Sequence, residues 1–244
     1  MHRFYCPQEK FSLPATVLTD KEEIHHARNV LRLKKNDAVE LFNGIDQEAS
    51  GTIESLSDKE MRVNIHDVRQ SQDPKPEIIL ACAIPKKGKF EYIVEKATEL
   101  QVHAIIPLKT QRSEVNFSAE RSLKKIERYQ SVALNAAKQS QRVTIPKIEA
   151  VAGFKTAVEA LTKNALVCIP SLQERHQTLL NVFQQHPAVR QIAFLIGPEG
   201  DFTPQEYSFA QEKGCIPVTL GHNVLKVETA ALIVCSFAHL FYHR

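Results

Sequence analysis

Between residues 38 and 68 apolar and polar side chains alternate with a period of two. Ala38 to Phe42, Gln47 to Ser55 and Met61 to Val68 each read as a half-buried strand, and Asn43-Gly44 between the first two is a hairpin-turn signal. One short helix precedes them. Thr19-x-x-Glu22 has capping-box spacing, after which Ile24, Ala27 and Leu31 recur at helical intervals. The pattern predicts a small β-rich domain, a barrel, over residues 1–72.

The segment QSQDPKPE, residues 70–77, carries two prolines and no large apolar side chain, and is expected to be a boundary. Beyond it, over 73–244, the pattern changes. Short apolar runs at 78–84, 104–108, 165–169, 191–196 and 216–220 alternate with amphipathic stretches of helical period, predicting an α/β domain with a largely parallel sheet. The sharpest helix start is Thr203-Pro204-Gln205-Glu206, where a cap residue, a proline at the first helical position and a capping-box Glu coincide. Gly214 fits its end. Val227 to Tyr242 is apolar around most of its circumference, as a helix buried on more than one side would be, and a subunit interface is one way to bury it.

The 244 residues are enough for one large domain or two modest ones, and 43% hydrophobic with 24% charged residues excludes disordered, collagenous and coiled-coil classes. The longest near-apolar stretch, Ala230 to Tyr242, has 13 residues where a membrane span needs about 18. No membrane association is expected. The start MHRFYCPQEK holds no apolar segment of a secretory signal, so a cytoplasmic location is expected. Cys6, Cys82, Cys168, Cys215 and Cys235 form no C-x-x-C pair and read as reduced core residues. His239 and His243, four apart, lack a legible third ligand, so no metal is expected. His25-His26 reads as a helix surface that could touch phosphate.

Charge is unevenly spread. Residues 1–72 carry 10 basic and 12 acidic side chains, whereas Lys109 to Lys147 holds nine basic and three acidic ones. That segment suits a polyanion, and equally a solvated helix face. Only 8 glycines occur, and four of them, 197, 200, 214 and 221, fall in one C-terminal stretch. Two sequences there follow a predicted strand and precede a predicted helix: Leu195-Ile196-Gly197-Pro198-Glu199-Gly200-Asp201-Phe202-Thr203 and Leu220-Gly221-His222-Asn223-Val224-Leu225-Lys226-Val227-Glu228-Thr229-Ala230. Ligands of open α/β sheets sit at such loops. Neither matches a dinucleotide fingerprint or a P-loop, and each taken singly could be only a tight turn.

GPEGDFT followed by LGHNVLKVETAA resembles the signature of the RsmE family, SPOUT-superfamily methyltransferases that modify N3 of a uridine in 16S ribosomal RNA. The likeness extends to His2-Arg3-Phe4, His26 with Val30-Leu31-Arg32, the run Glu95 to Leu100, and Gln139-Ser140-x-Arg142. It implies a PUA-like N-terminal barrel that binds RNA, a trefoil-knotted SPOUT domain, S-adenosylmethionine in the knot, a homodimer, and 16S rRNA within the small ribosomal subunit as partner. Relatives usually have glycine where Asp201 and Gln101 stand, arginine where Lys226 stands, and acidic residues where Asn135 and Lys138 stand. A lysine in place of an arginine exchanges a planar fork of donors for a point charge.

Methyl transfer to a ring nitrogen needs orientation, and N3 of uridine must lose a proton. Lys226, Arg142 and Arg112 could supply positive charge, and Glu199 or Glu228 could accept the proton. Either carboxylate could instead serve helix-end amides. Ile196, Gly197, Pro198, Gly200, Leu220, Gly221, Val224, Leu225, Thr229 and Ala230 are the expected cofactor contacts. His2, Arg3, Phe4, Tyr5, Arg28, Arg32, Lys138, Gln139 and Arg142 are the expected RNA contacts, with at least one of Phe4 and Tyr5 expected to pack inside the barrel instead. A ribose 2′-O-methyltransferase of the same superfamily and a non-catalytic RNA-binding protein are the competing readings. The first would carry an N-V-S-x-A type ending where this chain has Val227-Glu228-Thr229-Ala230-Ala231.

Overall fold

Contacts within the chain divide it into two units, Met1–Asp73 with Ala137–Ile145, and Pro74–Ala136 with Pro146–Arg244. The computed structural model describes all residues except 9, 10, 12, 73, 87, 114–118, 172–176 and 244. Asp73 of the expected linker and Glu114 of the basic segment thus lie outside the described residues. The return of 137–145 to the first unit is a long-range association that no local pattern encodes.

The first unit contains β1 (His2–Tyr5), β2 (Ala15–Leu18), α1 (Lys21–His25), a π-helical turn (His26–Val30), β3 (Ala38–Phe42), β4 (Gln47–Leu56) and β5 (Met61–Gln70). The sheet order is β1-β3-β4-β5-β2, with β1 parallel to β3 and the other pairs antiparallel. Alternation does what it predicts. Met61, Val63 and Ile65 of β5 are buried while Arg62, Asn64 and His66 face water, and Phe4, Leu18, Val39, Leu41 and Ile53 join the same core. Each such side chain contributes about 1.5–3 kcal/mol on burial. At the β3–β4 turn the Asn43 side-chain oxygen accepts from the amides of Ile45, Asp46 and Gln47, all at 2.9 Å, and Gly44 takes φ +78°. The expected capping box at Thr19 does not form. Asp20 caps α1 instead, accepting from the Glu23 amide at 3.0 Å, and Glu23 is held by Lys138 at 2.6 Å.

The second unit runs β6 (Glu77–Ala83), α2 (Lys89–Glu99), β7 (Ala104–Lys109), α3 (Ala119–Gln139, its last residues grouped with the first unit), β8 (Lys147–Ile148), β9 (Ala152–Gly153), α4 (Phe154–Leu161), β10 (Leu166–Pro170), β11 (Gln177–Thr178), α5 (Leu179–Gln185), β12 (Gln191–Ile196), α6 (Pro204–Glu212), β13 (Ile216–Thr219) and α7 (Val227–Tyr242). The strands pair in parallel in the order β11-β13-β10-β12-β6-β7-β8, with β9 also beside β7. The central strands are buried on both faces, which is why they read as continuous apolar runs. The predicted capping box forms at Thr203 and Glu206, and Gly214 takes φ +91° just past the end of α6.

After β13 the chain seats α7 on β12 and β6, two and three positions along the sheet. Val227, Ala231, Val234, Cys235 and Ala238 are buried there, which accounts for the apolar circumference of this helix. The path is compatible with the trefoil threading implied by the resemblance. All five cysteines are free and buried. Among the described residues no helix is long and apolar enough to cross a membrane, and no cluster of three or more His, Cys, Asp or Glu could hold a metal ion.

Candidate active site

In a parallel sheet, loops that leave neighbouring strands at their carboxyl ends converge on one edge. β13, β10 and β12 are such neighbours. Their exits, Pro170-Ser171, Ile196 to Asp201 and Leu220 to Leu225, together with Val227 and Ala230 of α7, enclose a crevice. It holds about 680 Å³ of space, part of it open to solvent.

Of the expected cofactor residues, Ile196, Gly197, Pro198, Leu220, Gly221, Val224, Leu225 and Ala230 line this crevice. Gly200 stands just outside the lining, its carbonyl taken by Arg112, and Thr229 lies on the opposite side of the helix start, beside Leu232, Ile233 and Tyr92. Helical geometry separates Thr229 from Ala230 by a turn of about 100° and sends only one of them inward. Sequence reasoning missed Pro170, Ser171 and Tyr207 as wall residues, although the run 165–169 marked a strand whose exit had to open at this edge.

The turn after β12 is unusual. Asp201 takes φ +61°, a left-handed conformation normally left to glycine, and its amide donates to the Pro198 carbonyl at 2.9 Å. Its Oδ1 accepts from the Phe202 amide and from the Tyr207 hydroxyl, both at 2.8 Å. The Tyr207 hydroxyl also lies 3.0 Å from the Pro170 carbonyl. Burial, more than the neighbouring carboxylate, pushes the Tyr207 phenol well above its ordinary value, so it stays a proton donor. Gln101 also takes a left-handed φ of +59°. A Cβ placed on Gly197 would sit 3.3 Å from the Phe202 ring and amide, whereas one on Gly221, at φ +108°, would meet nothing within 4 Å.

The residues expected to act on the proton or its charge fall in different settings. Glu199 lines the crevice and accepts from the Lys86 amide at 2.9 Å. Glu228 is bound by the Lys89 ammonium at 2.8 Å, which holds its carboxyl below the usual range. Arg112 donates to the carbonyls of Gly200 at 2.7 Å and Phe202 at 3.5 Å, fastening the turn. Lys226 is the exposed N-cap residue of α7, immediately after the lining residue Leu225. Arg142 belongs to the first unit, is buried, and donates to the Thr144 hydroxyl at 2.9 Å.

The expected RNA contacts divide likewise. His2, Arg32 and Gln139 are exposed, and Arg32 stands at φ +55°. Phe4 is core, with an edge-on contact to His26, and Tyr5 leans on Phe42 while staying partly open. The Arg3 side chain is only 9% exposed. It lies between Glu48 at 3.4 Å and Glu40 at 3.9 Å with its guanidinium 4.8 Å from the Phe42 ring centre. Arg28 is ion-paired with Asp58, and Lys138 with Glu23.

A family model described as an RNA methyltransferase domain matches residues 71–239, and one described as an RNA methyltransferase PUA domain matches 18–65. A protein of Rickettsia conorii named ribosomal RNA small subunit methyltransferase E is 32% identical, over 88% of this chain and 85% of its own length. Its namesake from Synechocystis is also 32% identical, over 91% of this chain and 72% of its own. The crystal structure of the Neisseria gonorrhoeae ribosomal RNA small subunit methyltransferase E bound to S-adenosyl methionine superposes with a TM-score of 0.87 at 28% identity, covering 99% of this chain and 98% of that one. With the site geometry matched by likeness along nearly its full length, the chain belongs to the ribosomal RNA small subunit methyltransferase E family of RNA methyltransferases.

Proposed function

We propose that this protein transfers a methyl group from S-adenosylmethionine to N3 of one uridine in 16S ribosomal RNA. The observation that carries the reading is the single crevice formed by three strand exits at the carboxyl edge of the sheet. Its lining fits the donor. Ile196, Leu220, Leu225 and Val227 offer apolar walls, the exits present backbone groups, and at Gly197 even a methyl side chain would crowd the turn. When bound, S-adenosylmethionine supplies an electrophilic methyl group on a sulfonium centre. The chain's own residues then have to orient and deprotonate the base.

Lys226, exposed at the start of α7 next to the crevice, provides positive charge that favours the N3 anion. Glu199 is the carboxylate placed on the crevice wall and so the better proton acceptor of the two expected, because Glu228 is already committed to Lys89. His2, Arg32 and Gln139 are the RNA contacts that exposure leaves in place. The domains are read as a PUA-like RNA-binding barrel over 1–72 and a SPOUT methyltransferase domain over 73–244, with 137–145 returning to the first.

The protein acts in the cytoplasm on the small ribosomal subunit, as a homodimer. In support of the dimer, α7 and α2 leave an apolar face that includes Tyr92, Ile233 and Leu240, exposed by 47%, 36% and 68%. Mass spectrometry of 16S rRNA from cells lacking the protein should show one N3-methyluridine lost and regained on reaction with purified protein and S-adenosylmethionine. An unchanged modification profile, or a methyl group on ribose, would refute the assignment.

A further inference from the structure

Within the proposed donor site one side chain joins two of the three exits that build it. Tyr207 reaches from α6 into the crevice wall, 5% exposed, and its hydroxyl lies between the Pro170 carbonyl after β10 and the Asp201 carboxylate after β12. A hydroxyl has one proton to give, and the shorter, charge-assisted partner is Asp201 at 2.8 Å. The same Asp201 oxygen also takes the Phe202 amide, closing a ring of contacts around a residue whose backbone is left-handed at φ +61°. Left-handed backbone is strained for a residue with a Cβ, and aspartate occupies it best when its carboxylate is hydrogen-bonded.

We infer that Tyr207 is a positioning residue for the methyl-donor site: its hydroxyl anchors Asp201 and thereby fixes the left-handed turn that forms the wall between Gly197 and Phe202. The inference rests on reading the crevice as the S-adenosylmethionine site, and it assigns a role to a residue that contributes no chemistry of its own. It explains how this chain carries aspartate where glycine would adopt the turn unaided. Aspartate and Tyr207 act as a pair, and glycine would need no partner. The tyrosine ring supplies packing independently, edge-on to Phe202 with ring centres 5.6 Å apart, so removing the hydroxyl alone leaves that contact in place.

The test is a cycle of Tyr207→Phe and Asp201→Gly with two readouts. In the ligand-free protein, Tyr207→Phe should speed hydrogen exchange of a peptide covering 198–203 at least fivefold, and in the Asp201→Gly background the same change should have less than a twofold effect. By calorimetry, Tyr207→Phe should weaken S-adenosylmethionine binding about tenfold, and the loss should shrink to under twofold in the Asp201→Gly background. Equal effects in both backgrounds, or exchange unchanged by Tyr207→Phe, would overturn the inference. If the unmutated protein binds no S-adenosylmethionine, the reading of the crevice falls, and the exchange measurement alone decides whether Tyr207 sets the turn.

Discussion

The Lys89 ammonium sits 2.8 Å from Glu228 Oε1, joining the first turn of α2 to the first turn of α7. A carboxylate so held is a poor proton acceptor, because the ammonium lowers its basicity. Glu228→Gln should therefore reduce methyl transfer less than tenfold, whereas Glu199→Gln should reduce it a hundredfold or more. Steady-state rates at saturating S-adenosylmethionine and RNA check this, and the opposite ranking would reverse the assignment.

The same pair fixes a pH dependence. Since the folded protein holds the Glu228 carboxyl below its ordinary value, the unfolded chain takes up this proton first as pH falls. The stabilisation is present above the unfolded value of about 4.3 and is lost as pH drops through the lower folded one. With Lys89 37% exposed, solvent limits it to about 1 kcal/mol. Urea midpoints of the wild type and Glu228→Gln should differ at pH 7 and converge at strongly acid pH.

Arg112 is hydrogen-bonded to the turn after β12, and a structural role there predicts a loss of donor affinity. Its guanidinium holds two carbonyls of the segment that follows Gly197, those of Gly200 and Phe202. Arg112→Ala should weaken S-adenosylmethionine binding about five- to tenfold while leaving the pH profile of the rate in place. Both bonds leave one guanidinium nitrogen, so Arg112→Lys, whose ammonium also carries several N–H donors, should recover much of the loss. A changed pH profile with unchanged donor affinity would restore Arg112 to a role in the chemistry.

The crevice was legible in the sequence because its parts are local. β12 over 191–196 and α7 over 227–242 stand where the apolar runs placed them, and Gly197 and Gly221 mark the exits between strand and helix. What stayed hidden depends on side chains meeting across distance. That Arg3 meets Glu40 and Glu48 depends on strands β3 and β4 bringing them beside it, which no local pattern shows. Nothing in the sequence singles out Tyr207, and only the parallel pairing of β10 with β12 carries Pro170 and Asp201 within reach of its hydroxyl. The Thr19 cap failed for a subtler reason. Asp20 is an equally good cap one residue later, and local propensity does not choose between them.

Two glycines of the crevice should respond differently to alanine. At Gly221, with φ +108°, a Cβ meets nothing, so the cost is backbone strain of about 1 kcal/mol or more and falls on the loop 220–225. At Gly197 the backbone is ordinary but the Cβ would press on Phe202 at 3.3 Å. Gly197→Ala should thus lower donor affinity by displacing the wall, and Gly197→Trp should abolish methyl transfer by filling the crevice. Calorimetry with S-adenosylmethionine and thermal melts separate the cases. Gly221→Ala is expected to lower stability as well as affinity, Gly197→Ala chiefly affinity.

Arg3 gives the last test, because two readings of one residue predict different observables. As a phosphate contact, its loss would weaken RNA binding and reduce the salt slope of the affinity by about one. As the structure has it, the guanidinium is buried between two glutamates, over Phe42, and donates to the Arg142 carbonyl at 3.2 Å. Removing the cation strands Glu48 and Glu40, 30% and 35% exposed, in a partly desolvated site with like charge beside them. Arg3→Met should then destabilise the first unit by about 1–3 kcal/mol, visible as a lower melting temperature, and leave the salt slope of RNA binding unchanged. A Glu40→Gln, Glu48→Gln background should absorb much of that loss, since no uncompensated carboxylates remain. Full thermal stability in Arg3→Met together with a reduced salt slope would return Arg3 to the RNA surface.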